Sequence, residues 1–131
     1  MKTLLIILIL LSTQAYSLTK TEIENSVNKF LCSDNPVEMA AMIEYPVLFA
    51  SGYRLFNEDE FYHAVSQSSK EFGLYKLGKS CVGFTWKIRS ILDHLDSSYT
   101  IKAYPSNNHD IKVLVYISKT GLIIGAIEDF E

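Results

Sequence analysis

The hydrophobic positions in the last fifty residues recur with a period of two. Val82, Phe84, Trp86 and Ile88 alternate with Gly83, Thr85, Lys87 and Arg89. Tyr99, Ile101 and Ala103 alternate with Thr100, Lys102 and Tyr104, and Ile111, Val113, Val115 and Ile117 with Lys112, Leu114, Tyr116 and Ser118. A last run, residues 122–130, is apolar on both parities until Glu128. Strands that alternate in this way belong to an antiparallel sheet with one face buried. Ser118-Lys119-Thr120-Gly121-Leu122 fits a three-residue hairpin loop with Gly121 in the left-handed bulge position. That loop sets Ser118 opposite Leu122, Tyr116 opposite Ile124, Leu114 opposite Ala126 and Lys112 opposite Glu128. Ile123, Gly125, Ile127 and Asp129 are then inward.

Before residue 81 the spacing changes to that of helices. Thr19 or Thr21 opens the first, with Glu22 or Glu24 completing a capping box, and Ile23, Val27, Phe30 and Leu31 form its apolar stripe. Asn35-Pro36-Val37-Glu38 starts a second helix carrying Val37, Ala40, Ala41 and Ile43, which must stop before Pro46. Residues 47–50 and 54–56, around Ser51-Gly52, read as two short strands. Asn57 to Glu60 then caps a third helix with Phe61, Ala64, Val65 and Phe72 on its buried face. Residues 73–80 form the loop into the sheet. Helices followed by a sheet make an α+β chain, with N-terminal helices packed on a four- to six-stranded antiparallel sheet.

The first residues add a compartment. Met1-Lys2, eight consecutive Leu and Ile residues from Leu4 to Leu11, and small Ala15 and Ser17 have the form of a secretory signal peptide over residues 1–17. An eight-residue run spans only about 12 Å as a helix, too short for a membrane anchor. Residues 18–131 are expected to form one secreted, extracellular domain. In an oxidising compartment Cys32 and Cys81, the two cysteines, are expected to form a disulfide, the alternative being two buried thiols. The bridge would close a loop of about fifty residues, worth roughly 4 kcal/mol. Loss of Lys2 leaves eleven basic against fifteen acidic residues, which argues against nucleic acid or an anionic membrane as partner.

This order of elements resembles the nuclear transport factor 2-like superfamily, in particular its small secreted members of unassigned function. The resemblance implies a curved sheet wrapped around a helix as a cone. Cystatins are the competing secreted α+β family, but their Gln-X-Val-X-Gly inhibitory loop is missing: Gln67 is followed by Ser68, Ser69 and Lys70. On the inward parity, Phe84, Trp86, Tyr99, Ile101, Val113 and Val115 are the candidate wall of an apolar ligand pocket. Catalytic chemistry has one candidate pair, His109 and Asp129 at the rim, suited to a small hydrolyase- or isomerase-like enzyme. His63 and His94 stand elsewhere, so the histidines give no metal cluster, and no phosphate loop or nucleophile elbow occurs; no cofactor is expected. On the outward parity, Leu114, Tyr116 and Ile124 form an apolar patch beside Lys87 and Lys102. The resemblance implies pairing through this face, as a homodimer or with an acidic protein partner. The expected function is therefore non-enzymatic binding of a small apolar ligand or of a protein partner.

Overall fold

The computed structural model describes residues 18–49, 53–66, 81–95 and 97–128. The expected signal peptide, the Ser51-Gly52 turn, Gln67, Phe72, residues 73–80 and Asp129 lie outside the described residues. Helix α1 (Lys20–Leu31) opens at Thr19, whose hydroxyl accepts the Glu22 N–H at 3.1 Å while the Glu22 carboxylate accepts the Thr19 N–H at 3.4 Å. This closes the capping box. Ile23, Val27, Phe30 and Leu31 are buried along one stripe. Helix α2 (Pro36–Ala41) is capped by the Asn35 side chain, which accepts from Val37 and Glu38. Asn57 caps α3 (Glu58–Ser66) by accepting the Glu60 N–H at 2.9 Å.

Six strands complete the chain: β1 (Ile43–Phe49), β2 (Tyr53–Leu55), β3 (Trp86–Asp93), β4 (Ser98–Pro105), β5 (Val113–Ser118) and β6 (Ile123–Glu128). They form one sheet in the order β2-β1-β6-β5-β4-β3. The inward residues of the sheet and the stripes of the helices share a single core, from Ile23 and Phe30 to Trp86, Ile101 and Val115. Two devices fasten α1 to β3. The Asn28 side chain accepts the Trp86 N–H at 2.6 Å and donates to the Trp86 carbonyl at 2.9 Å, as a neighbouring strand would. Cys32, the C-cap of α1, is disulfide-bonded to Cys81, with the Cα atoms 4.9 Å apart.

Five sequence expectations are corrected. The sheet is mixed rather than purely antiparallel, because β1 lies parallel to β6. Ile43 belongs to β1 and not to the second helix, and Pro46 stands inside that strand rather than before it. Val37 is 65% exposed, so α2 buries Met39 and Ala40 instead. The strand expected over residues 82–89 is shifted to Trp86–Asp93: Val82 is exposed, Gly83 takes a φ of +77°, and an irregularity between Ile88 and Ser90 lets the strand run on.

The last correction is the register of β6. Its hairpin forms as expected, with Ser118 N–H donating to Leu122 and Gly121 N–H to Ser118. Ile117 pairs with Ile123, but Tyr116 pairs with Gly125, Val115 with Ala126, Leu114 with Ile127 and Val113 with Glu128. Ile124 is the surplus residue of a bulge, and the parity inverts after it. Ala126, expected outward, is fully buried, and Glu128 takes the place opposite Val113 expected for Ile127.

Candidate functional site

The groove on the outer face exists because neighbouring strands differ in length. Between the pairs Ile43–Ile123 and Leu48–Gly125, β1 advances five residues while β6 advances two. Three residues of β1 are therefore surplus, in a stretch where Pro46 has no N–H to give to a ladder. Ile124, the surplus residue of β6, lies beside them. The result is a groove of about 490 Å³ lined by Glu44, Tyr45, Pro46, Leu48, Arg54, Tyr116 and Ile124. Small-molecule sites usually enclose about 300–1,000 Å³, so this volume is sufficient for a ligand. A second cavity, between α1, the end of α2 and the β5–β6 turn, measures about 210 Å³ and falls below that range.

One cross-strand row sets the groove's geometry. Arg54 is paired with Leu48, Leu48 with Gly125, Gly125 with Tyr116, and Tyr116 with Thr100. Gly125 leaves a gap in that row, and Tyr116 closes it: a Cβ on Gly125 would stand 2.9 Å from the Tyr116 ring and 3.1 Å from the Leu48 carbonyl oxygen. An aromatic ring laid over a strand glycine restores the contact that the glycine lacks. Leu48, Tyr116 and Ile124 are half-buried, forming an apolar surface that water still reaches.

The polar groups are distributed around that surface. Glu44 and Arg54 are exposed, and neither side chain makes a hydrogen bond or ion pair within the described residues. The Tyr45 hydroxyl is buried and has no hydrogen-bond partner among the described residues. Burial pushes its pKa up to about 12, helped by the Glu58 carboxylate and the Tyr62 phenol, so it remains a protonated donor at neutral pH.

The sequence-derived residues fall into three places. Phe84, Trp86, Tyr99, Ile101, Val113 and Val115 are all buried in the core, and none lines either cavity. Tyr116 and Ile124 meet in the groove. Leu114 lies one row further along β5, with Lys102 opposite it, and Lys87 faces Tyr104. Tyr104 also lies under the Arg89 guanidinium at 5.0 Å. His109 is exposed in its turn, 4.8 Å from the Tyr104 ring between centroids; Asp129 is outside the described residues. No group of three His, Cys, Asp or Glu side chains within the described residues is arranged to hold a metal.

Sequence reading missed Glu44, Tyr45, Pro46, Leu48 and Arg54. A signal was present: Pro46, read from sequence only as the end of a helix, stands between two β-prone stretches, residues 43–45 and 47–49. Its meaning depends on β6, which pairs with it only in three dimensions.

No known protein family matches the chain, and no curated protein matches it. A solved structure does: a domain of unknown function with a cystatin-like fold from Nostoc punctiforme. The two share 12% identity with a TM-score of 0.51, over 87% of this chain and 80% of that one. At that identity the likeness establishes the fold alone, a cone-like α+β domain of the cystatin-like type.

Proposed function

We propose that the chain is a secreted, non-enzymatic binding domain of the nuclear transport factor 2-like kind, and that its site is the outer groove rather than the inside of the cone. The observation that carries this reading is the groove itself: ligand-sized, apolar along Leu48, Pro46, Tyr116 and Ile124, and edged by charges that the described residues leave unanswered. The residues first expected to enclose a ligand are instead at most 7% exposed and packed together. The ligand is a small molecule with an apolar body.

A second reading has its own support. Leu114, Tyr116 and Ile127 are half-exposed apolar residues on neighbouring strands, with Lys87 and Lys102 toward the β3 edge. An apolar patch with basic residues at its margin suits a protein partner, either a second copy or an acidic protein. For the hydrolyase- or isomerase-like alternative only His109 can be placed, exposed beside the Tyr104 ring, since Asp129 lies outside the described residues.

Native mass spectrometry of the chain purified from a secretory host separates the readings. A co-purifying small mass, displaced by Tyr116→Glu, is expected. A stable dimer that Tyr116→Glu dissociates in sedimentation velocity would replace the ligand reading with the partner reading. A bound mass that survives Tyr116→Glu would place the site elsewhere.

A further inference from the structure

We infer that the groove accepts a short apolar peptide with free termini, its carboxylate on Arg54 and its ammonium on Glu44; this rests on the groove being the binding site. Arg54 offers only donors, in a planar fork that matches a carboxylate, and Glu44 offers only acceptors. Both line one groove, both are exposed, and neither side chain is hydrogen-bonded or ion-paired with the other or with any described residue. The other groove residues, Tyr45, Pro46, Leu48, Tyr116 and Ile124, carry no charge at neutral pH.

A ligand with one charge would leave the other rim group unanswered or repelled. A fatty acid on Arg54 would present nothing to Glu44, and a cationic amphiphile on Glu44 nothing to Arg54. A molecule with both charges and an apolar body satisfies the whole lining.

The span suits a short peptide. Arg54 stands opposite Leu48 on the adjacent strand, about 5 Å away, and Glu44 is four residues before Leu48, at most about 13 Å along extended chain. The surplus residues of β1 bring Glu44 closer than that limit. The backbones of Glu44 and Arg54 are therefore at most about 18 Å apart, a span that an extended tripeptide, with charged ends about 10 Å apart, covers once both side chains reach toward it. Side chains of the leucine type would lie along Leu48 and Ile124 and against the Tyr116 ring.

The test is an NMR titration of the disulfide-bonded mature chain with trileucine, N-acetyl-trileucine, trileucine amide and laurate. Trileucine is expected to shift the resonances of Leu48, Tyr116 and Ile124. Because the rim charges are exposed, blocking either terminus should weaken binding about three- to fivefold. Arg54→Gln should erase the difference between acid and amide, and Glu44→Gln that between amine and acetyl. Blocked peptides that bind as tightly as trileucine, or laurate that binds more tightly, would overturn this inference and leave the groove as the site. If no probe moves Leu48, Tyr116 or Ile124, the groove reading fails, and the inference with it.

Discussion

Tyr45 places its hydroxyl in the packed space beside α3, near Glu58 and Tyr62, where no described group receives it. A buried donor without a partner is a cost, so Tyr45→Phe should raise stability at pH 7 by about 1 kcal/mol in urea unfolding. The phenol also sets an alkaline limit. Its pKa is raised from 10.0 to about 12, so the folded chain keeps a proton that the unfolded chain releases. Stability is at its full value below pH 10 and declines as pH rises toward 12. Tyr45→Phe lacks this contribution, and its advantage over wild type should widen above pH 10. Gly125 poses the opposite problem, one of space. Gly125→Ala would press a methyl group onto Tyr116 and the Leu48 carbonyl, costing about 1–3 kcal/mol. The cost should fall in a Tyr116→Ala background, where only the Leu48 contact remains; an unchanged cost would mean that the ring is not what holds the glycine.

At the scale of elements, the local signals were legible and the pairings were not. Thr19, Asn35 and Asn57 each cap the helix that their sequence announces, because a cap involves residues within three or four positions. The β5–β6 turn was equally readable, since Gly121 takes the positive φ, +92°, that the loop requires. One residue beyond that turn the reading failed. Counting from Ser118 assumed an unbroken ladder, and the surplus Ile124 shifted every later residue by one. The link between α1 and β3 was also invisible in sequence, although Asn28 makes it with one side chain. Asn28→Ala would leave the Trp86 N–H without its acceptor and should cost about 1–3 kcal/mol, with faster hydrogen exchange at Trp86. Asn28→Asp keeps the acceptor but turns a carboxylate oxygen toward the Trp86 and Glu24 carbonyls in place of the donor, so it should cost at least as much as Asn28→Ala.

For the whole molecule, the Cys32–Cys81 bond fastens the helical half to the sheet across a sequence separation of 49 residues. Cys81→Ala should lower stability by about 2–5 kcal/mol, as removal of a native disulfide does in small domains. Mass spectrometry after alkylation without reduction checks the premise, since bonded cysteines take up no label. The same scale decides where function can reside. The inward side of the sheet is occupied by side chains of α1 and the helices that follow, and the ligand-sized groove lies instead on the outer face, where irregular strands leave room.

What the sequence determined by itself was local or forced by number. It set the helix stripes at 3.6-residue spacing, the caps, the hairpin at Gly121, the buried parity of β4 and β5, and the pairing of two cysteines. What only the tertiary structure decided was which distant strands lie side by side and in what register. Ile43 meets Ile123 and Leu48 meets Gly125 across most of the chain, and no neighbour in sequence records the mismatch between five residues and two. A one-residue surplus is nearly silent in an apolar run such as Ile123-Ile124-Gly125-Ala126-Ile127, because both parities read alike. The groove is made of those surpluses, so its walls became recognisable only when β1, β6 and β5 were placed together.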